Sequence, residues 1–135
     1  MQDSSLPVIA SIIAALSAHA DVTALVGDRI YSEAPDSASY PLILIDSVLS
    51  NPAIETQGGE GWELLVTLHV WSRSPVGPVE CHQVVAAVVD ALHDTRPALS
   101  EGGVVMMRVI STRVSKRNDG ETTQGVIRLR VMTDQ

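Results

Sequence analysis

Two side chains that could act as a nucleophile and its base, Cys81 and His82, are adjacent in the sequence. An activated thiol needs a base within hydrogen-bond reach, as in enzymes that attack a carbonyl carbon. Neighbouring residues of a helix point about 100° apart, so this pair does not reach that geometry. Cys81 is therefore interpreted as a small core residue, and a lone cysteine forms no internal disulfide.

The histidines are the other candidates for acid–base or metal chemistry. They are His19, His69, His82 and His93. No two of them have the spacing of a helical metal site. Asp90 and His93 lie three residues apart on one helical face, where they either share a proton or form a solvated surface pair. Gly58, Gly59 and Gly61 do not precede a helix and so do not form a phosphate cradle. The sequence predicts no catalytic residue, no metal and no cofactor.

Length and composition predict a single domain over residues 1–135. The chain has 135 residues, 45% of them hydrophobic, which is enough apolar surface for one core. No apolar run reaches the roughly 18 residues that cross a bilayer. The amino terminus carries Asp3 in place of the basic start of a secretory signal. The sequence therefore predicts a soluble, unexported protein without membrane contact.

Charge is distributed unevenly along the chain. Residues 1–107 contain 3 basic and 13 acidic side chains, whereas residues 108–135 contain 6 basic and 3 acidic ones, for a net charge of −7. A net-acidic protein gains little from neutralising phosphates, which argues against tight nucleic-acid binding by a monomer. The two oppositely charged parts are instead expected to attract each other between subunits.

The first third of the chain has helical signals. A helix is predicted to run to about Ala18, with a stripe formed by Leu6, Ile9, Ile13 and Leu16. Asp21 is predicted to cap a short helix that Gly27 ends, and the start of a strand follows by Tyr31.

Two strands follow, and each has a distinct pattern. In the strand Pro41–Leu49, Leu42 and Leu44 lie on one face and Ile43 and Ile45 on the other, so a neighbouring subunit is expected to cover one of them. The next strand alternates. Its predicted core face contains Trp62, Leu64, Val66, Leu68 and Val70. Leu65 and Trp71 lie on its other face and belong either to ordinary exposed surface or to a subunit contact.

The connection Ser50–Gly61 between these strands contains Pro52 and three glycines. Its length and composition predict a mobile loop rather than a tight hairpin, and we expect it to become ordered on assembly.

The second half predicts a helix and a hairpin. The helix begins near Pro78, and its stripe consists of Cys81, Val84, Val85, Val88 and Leu92. Residues 104–117 and 122–132 are predicted strands around Asn118-Asp119-Gly120. The resulting order is helix, strand, strand, helix, strand, strand. It predicts an α+β fold in which two long helices pack chiefly on one face of a mainly antiparallel four-stranded sheet.

The order of these pieces resembles a known family. They are the segment Asp21–Tyr31, the strand that begins at Tyr40-Pro41, the alternating strand Gly61–Arg73, the helix through Val84, Val88 and Leu92, and the turn Asp119–Thr123. From Leu6 to Val131 the chain resembles the tail-terminator, or tail-completion, proteins of long-tailed bacteriophages and gene transfer agents. The likeness lies in apolar patterns and turns, and not in a catalytic signature.

The resemblance implies a structural role in a particle. It implies a homo-oligomeric ring, a hexamer by analogy, at the head-proximal end of the tail tube. Such a ring ends tube polymerisation, contacts the tail-tube protein and a head-completion or neck protein, and leaves a channel through which DNA passes without sequence-specific binding. The implied location is the neck region of a virion or phage-like particle that is assembled in the bacterial cytoplasm.

The last hairpin carries a basic cluster that has three possible interpretations. The cluster is a solvated sheet face, a contact with an acidic neighbouring subunit or the tail tube, or a direct DNA contact. The candidate interface comprises Ile43, Ile45, Glu55, Glu60, Glu63, Leu65, Trp71, Arg108, Arg113, Lys116, Arg117, Arg128 and Arg130. Two alternatives remain open: another neck ring, such as a stopper or adaptor, and a small ligand-binding or enzymatic α/β domain.

Overall fold

Three helices and five strands make up the described part of the chain. A computed structural model describes residues 5–52, 61–75, 77–97, 99 and 103–134. In chain order the elements are α1 (Ser5–Ala18), α2 (Ala20–Val26), β1 (Ile30–Tyr31), β2 (Leu42–Pro52), β3 (Trp62–Ser72), α3 (Val79–Leu92), β4 (Val104–Lys116) and β5 (Thr123–Thr133). The predicted α+β class is confirmed. The sheet is mixed and has five strands rather than four antiparallel ones, and α2 is a third helix.

The fifth strand, β1, pairs in parallel with the start of β2 through Ile30 and Ile43. The backbone N–H of Ile43 also donates to the carbonyl of Arg29 at 3.0 Å. The other pairings are antiparallel, and the strand order is β1-β2-β3-β5-β4. The strand start predicted by Tyr31 is confirmed as β1. Its two residues are too few for a period-2 pattern, and pairing with β2 completes it.

Helices α1 and α2 meet at His19 with a bend of 86°. His19, in extended conformation, is the N-cap residue of α2 and makes no side-chain cap, so the predicted capping role of Asp21 is wrong. Asp21 lies in the first turn of α2 instead, where its carboxylate interacts favourably with the helix dipole. Gly27 ends α2 at φ 61°. Within the described residues no single helix has the length and apolarity of a membrane span, although the bent pair α1 and α2 has both when combined.

The core lies between the helices and one face of the sheet, as predicted. The α3 stripe is confirmed, since all five of its residues are buried. The α1 stripe is not, because α1 buries Val8, Ile12 and Leu16 and leaves Leu6 79% exposed. Apolar residues surround most of α1, so its sequence period does not fix which side packs inward.

β2 and β3 turn defined faces toward this core. In β3 the alternation is confirmed, with Leu64, Val66, Leu68 and Val70 buried. In β2 the side chains of Ile43 and Ile45 are 0% and 5% exposed within the core. Their prediction as interface residues is therefore wrong, because the helices already cover their face of the sheet.

β2 is longer than its apolar pattern indicates. It extends through Ser50 and Asn51 to Pro52, which pairs with Trp62, so the predicted loop begins three residues too early. Proline is tolerated there because β1 pairs only with the start of β2, which leaves Pro52 at a sheet edge. Residues 53–60, which include Glu55 and Glu60, lie outside the described residues, and the ordering of this connection stays a prediction.

Candidate functional site

The Cys81 thiol lies in the core and is not poised for nucleophilic attack. Cys81 is 0% exposed, and its Sγ lies 4.0 Å from the carbonyl oxygen of Val70. Burial, followed by the negative charge of Glu80, raises the pKa of the Cys81 thiol to about 11. His82, the adjacent residue, is exposed. These surroundings disfavour the thiolate, which is the opposite of what a catalytic cysteine needs.

The predicted pair of Asp90 and His93 is wrong. His93 has extended backbone angles at the C-cap of α3, so the helical three-residue spacing does not apply to it. Its Nδ1 accepts the backbone N–H of Val109 at 3.0 Å. Asp90 lies instead 2.9 Å from Nε2 of His19, a residue 71 positions away.

This contact creates a group that sequence spacing does not indicate. The atoms of His19, Asp21 and Asp90 that could ligate a metal all lie within 4.8 Å of one another. His19 Nε2 and Asp90 are already at hydrogen-bond distance, and both aspartates are exposed to water. Structural zinc sites commonly use four protein ligands, which this group does not supply.

We therefore predict that the chain holds no metal stoichiometrically. Elemental analysis of protein purified without chelator should give far less than one ion per chain. Zinc titration of the wild type and His19→Ala should give the same weak binding. One ion per chain that survives desalting and disappears in His19→Ala would contradict the prediction.

The most extensive candidate surface is the face of the sheet opposite α1 and α3, here called the helix-free face. Its side chains alternate with the buried ones along each strand. It comprises Leu44, Ser47 and Leu49 of β2, Glu63, Leu65, Thr67, His69 and Trp71 of β3, Gln124, Val126, Arg128, Arg130 and Met132 of β5, and Arg108, Ser111 and Arg113 of β4. Within the described residues no helix covers this face.

Apolar and aromatic side chains occupy the β2 and β3 side of the helix-free face. Leu49 is 58% exposed and pairs across the strands with Leu65. Farther along, the rings of His69 and Trp71 meet edge to face at 5.7 Å between centroids. Leu49 is exposed and Leu65 and Trp71 are half-buried, so this side of the face offers apolar area that another molecule could cover.

Arginines occupy the β5 and β4 side of the helix-free face. Arg108 and Arg130 are directly opposite each other, which is unfavourable for like charges unless anions compensate. Both have such anions. The Nε of Arg108 lies 3.0 Å from Asp94, and Nη2 of Arg130 lies 2.6 Å from Glu63.

The structure brings together part of the predicted interface. Glu63, Leu65, Arg108, Arg113, Arg128 and Arg130 share the centre of the helix-free face. Trp71 and Arg117 lie at its end, with the guanidinium of Arg117 5.9 Å from the Trp71 ring centroid. Lys116 pairs with Thr123, a buried residue, and so points to the other side of the sheet. The role of these residues as an interface stays a prediction.

A cleft at the same end was not expected from the sequence. It has a volume of about 400 Å³ between residues 34–44, the end of β3 and the β4–β5 turn. The guanidinium of Arg73 lies 4.6 Å from the Tyr40 ring centroid on its wall, and Nε of Arg73 donates to Oγ1 of Thr122 at 3.0 Å. In the sequence, the one sign of this cleft is that Tyr40 precedes Pro41. That order does not indicate that Arg73 contacts the Tyr40 ring.

The β4–β5 turn next to this cleft is held by Asp119. Its Oδ1 accepts the N–H groups of Glu121 and Thr122 at 2.9 and 2.8 Å, and its Oδ2 accepts the Thr122 hydroxyl at 2.6 Å. The Thr122 hydroxyl, then the backbone N–H groups of Thr122 and Glu121, lower the pKa of Asp119 from 3.8 to about 2. The predicted turn at Asn118-Asp119-Gly120 is confirmed.

Asp119 should therefore contribute to stability in a pH-dependent way. Because its pKa is lowered by folding, its contribution is present above about pH 4 and is lost as the pH falls through about 2. We expect Asp119→Asn to lower the urea midpoint by a constant amount between pH 5 and pH 8, and the difference from wild type to shrink below about pH 4. A difference that stays constant down to pH 2 would contradict this role.

Comparisons with known proteins identify a family and a similar fold. The family model described as "Tail completion protein gp17" matches residues 10–134. A solved structure described as "Virion of native gene transfer agent (GTA) particle" contains a chain with 20% sequence identity and a TM-score of 0.85, and the match covers 96% of each chain. At this identity the second match establishes a shared fold. No curated protein matches the sequence.

Proposed function

This chain belongs to the tail completion protein gp17 family, and from that membership we propose that copies of it form a ring at the head-proximal end of a tail tube. The family makes it a structural protein of a phage or gene-transfer-agent tail. In the proposed role the ring ends tube polymerisation, joins the tail to a head-completion or neck protein, and leaves a channel for DNA. A hexamer is the expected number by family analogy.

The observation that carries the proposal is the helix-free face. A small α/β domain buries one face of its sheet under helices, and its second face is either polar or covered by something else. Here the second face holds Leu49 at 58% exposure beside the half-buried Leu65, and half-buried Trp71 lies farther along the same face. Contact between subunits would remove these groups from water, and a closed ring would do so for every copy.

Net charge supports the proposed DNA channel. At −7 the chain repels phosphate, so a ring of such subunits would let DNA slide without being retained. A channel that attracted phosphates would slow DNA passage. The arginines are therefore assigned to contacts between proteins rather than to the channel wall.

The test uses particles and a matched pair of variants. Removing the gene should give tails of abnormal length that fail to join heads, as seen by electron microscopy, and wild-type protein should restore them. We expect Leu49→Asp to fold normally but not to restore tails, because it places an unpaired charge in the contact. The control Val79→Asp changes a residue of similar exposure, 54%, on the helix side of the molecule, where an acid suits the first turn of α3.

The outcomes separate the proposal from its closest alternative. Tails of normal length that merely lack heads would favour a stopper or adaptor ring in the neck. Normal, headed tails without the gene would contradict both. Restoration by Leu49→Asp as efficient as by Val79→Asp would show that the helix-free face is not the contact.

A further inference from the structure

The helices and the helix-free face differ in the charged residues they carry. The helices α1, α2 and α3 contain no lysine or arginine, and they carry Asp21, Glu80 and Asp90. The helix-free face, on the far side of the sheet, carries four exposed arginines, Arg108, Arg113, Arg128 and Arg130. Because the helices and these arginines lie on opposite sides of one sheet, they do not contact each other within one copy, whereas two copies can bring them together.

Two of the arginines have no counter-ion among the described residues. Arg113 pairs with Val126, and Arg128 lies two residues farther along β5, so the two residues are diagonal neighbours on the helix-free face. Arg108 and Arg130 have Asp94 and Glu63. Within the part of the chain that the structure describes, Arg113 and Arg128 have no hydrogen bond or ion pair. Two adjacent cations of this kind favour an anion from outside the chain.

A groove of matching chemistry lies on the helix side. It runs between α2 and α3, has a volume of about 510 Å³, and is lined by Asp21, Ala24, Leu25, Gln83, Ala86, Ala87 and Asp90. The alanines and Leu25 make the lining largely apolar, and the two aspartates supply negative charge. The Asp90 side chain is 73% exposed, so its carboxylate reaches solvent even while it contacts His19.

We propose that the α2–α3 groove of one copy receives the helix-free face of the next copy, with Asp21 and Asp90 facing Arg113 and Arg128. This inference rests on the proposed ring and specifies how its subunits meet. The contact joins two different surfaces head to tail, and such a contact forms a ring when the rotation from each copy to the next closes. Exposed Leu49 and the neighbouring Leu65 supply apolar groups for the groove, and the charges fix the direction of the contact.

A second copy fits the groove better than DNA does. Phosphate would meet two carboxylates and no cation among the groove residues. Charge complementarity also favours a partner with exposed arginines next to apolar side chains, and the chain itself presents that combination.

Cross-linking tests the contact directly. Asp90→Cys and Arg128→Cys are prepared as single variants and as one double variant, and each is treated with a short bis-maleimide at high protein concentration and in assembling particles. Cys81 is buried, so wild type serves as the unreactive reference. We expect little product from either single variant alone, at least about tenfold more dimer from their mixture, and a ladder of bands from the double variant.

Charge reversal provides the second arm. Arg128→Glu and Asp90→Arg should each prevent self-association, because like charges then meet in the contact. Their equimolar mixture should restore it, because native contacts alternate with contacts in which both charges are exchanged. The control for cross-linking replaces Asp90→Cys by Glu121→Cys, which lies on the β4–β5 turn. Mixed with Arg128→Cys, it should give no dimer above background.

The results distinguish this inference from the proposed function. Particles with a ring of this protein, but with no cross-link between positions 90 and 128, would overturn the head-to-tail contact and leave the proposed function standing. Dimers from Arg128→Cys alone would also overturn it, in favour of a symmetric contact between two helix-free faces. Particles without a ring would contradict the proposed function itself.

Discussion

Replacing Gly125 by valine is expected to lower the free energy of unfolding by about 3 kcal/mol. Gly125 lies on β5 beneath α3, and a Cβ at this position would meet Cγ2 of Val85 at 2.7 Å, Sγ of Cys81 at 3.2 Å and Cβ of Val70 at 3.3 Å. Real Cβ atoms do not come as close as the first of these contacts. The valine methyl groups would add to the overlap, so α3 must move away from the sheet.

Urea unfolding of Gly125→Val measures this cost, and a compensating variant shows its cause. Val85→Ala alone should destabilise the protein by leaving a small cavity. In combination with Gly125→Val it should recover at least about 1 kcal/mol, because the two sites share one space and their effects are not additive. An unfolding free energy within about 0.5 kcal/mol of wild type for Gly125→Val would contradict the close approach of α3.

The second large effect is expected at Leu68, in the middle strand of the sheet. Leu68 is 0% exposed and lies between Ile45 of β2 and Ile127 of β5. Leu68→Ala should lower the free energy of unfolding by about 2–5 kcal/mol through lost burial and an unfilled cavity. Since domains of this size are stable by about 5–15 kcal/mol, that loss is large enough to unfold part of the population near body temperature.

Leu65 provides the matched control on the same strand. It has the same side chain three residues earlier, but it faces the helix-free side and is only partly buried in the single chain. Leu65→Ala should change the free energy of unfolding by less than about 1 kcal/mol while weakening assembly. Equal destabilisation by Leu65→Ala and Leu68→Ala in monomeric protein would contradict the assignment of the two faces of β3.

The sequence alone determined those elements whose apolar residues mark only one possible buried face. The α3 stripe, the alternation of β3 and the β4–β5 hairpin are confirmed. In each, the apolar residues fit a single period and mark a single face, and Asp119 with Gly120 supplies the turn chemistry. The family resemblance also came from the order of these elements, which the match over residues 10–134 confirms.

Where an element had two possible buried faces, the tertiary structure decided between them. α1 and β2 are apolar on more than one side, so packing selected Val8, Ile12 and Leu16 in α1 and Ile43 and Ile45 in β2 as core residues. β2 also extends to Pro52 because pairing with β3 continues beyond its apolar pattern. Local periodicity gives the spacing of a face but not which of two apolar faces the helices will cover.

Contacts between distant segments also came from the fold alone. The strand order placed β1 beside β2 and β5 between β3 and β4, which set Arg130 beside Leu65. The packing of the helices brought Asp90 to His19 across 71 residues of sequence. These contacts depend on strand order and helix packing. The arrangement that buries the most apolar surface over the whole chain decides both, and a local pattern of residues does not contain that information.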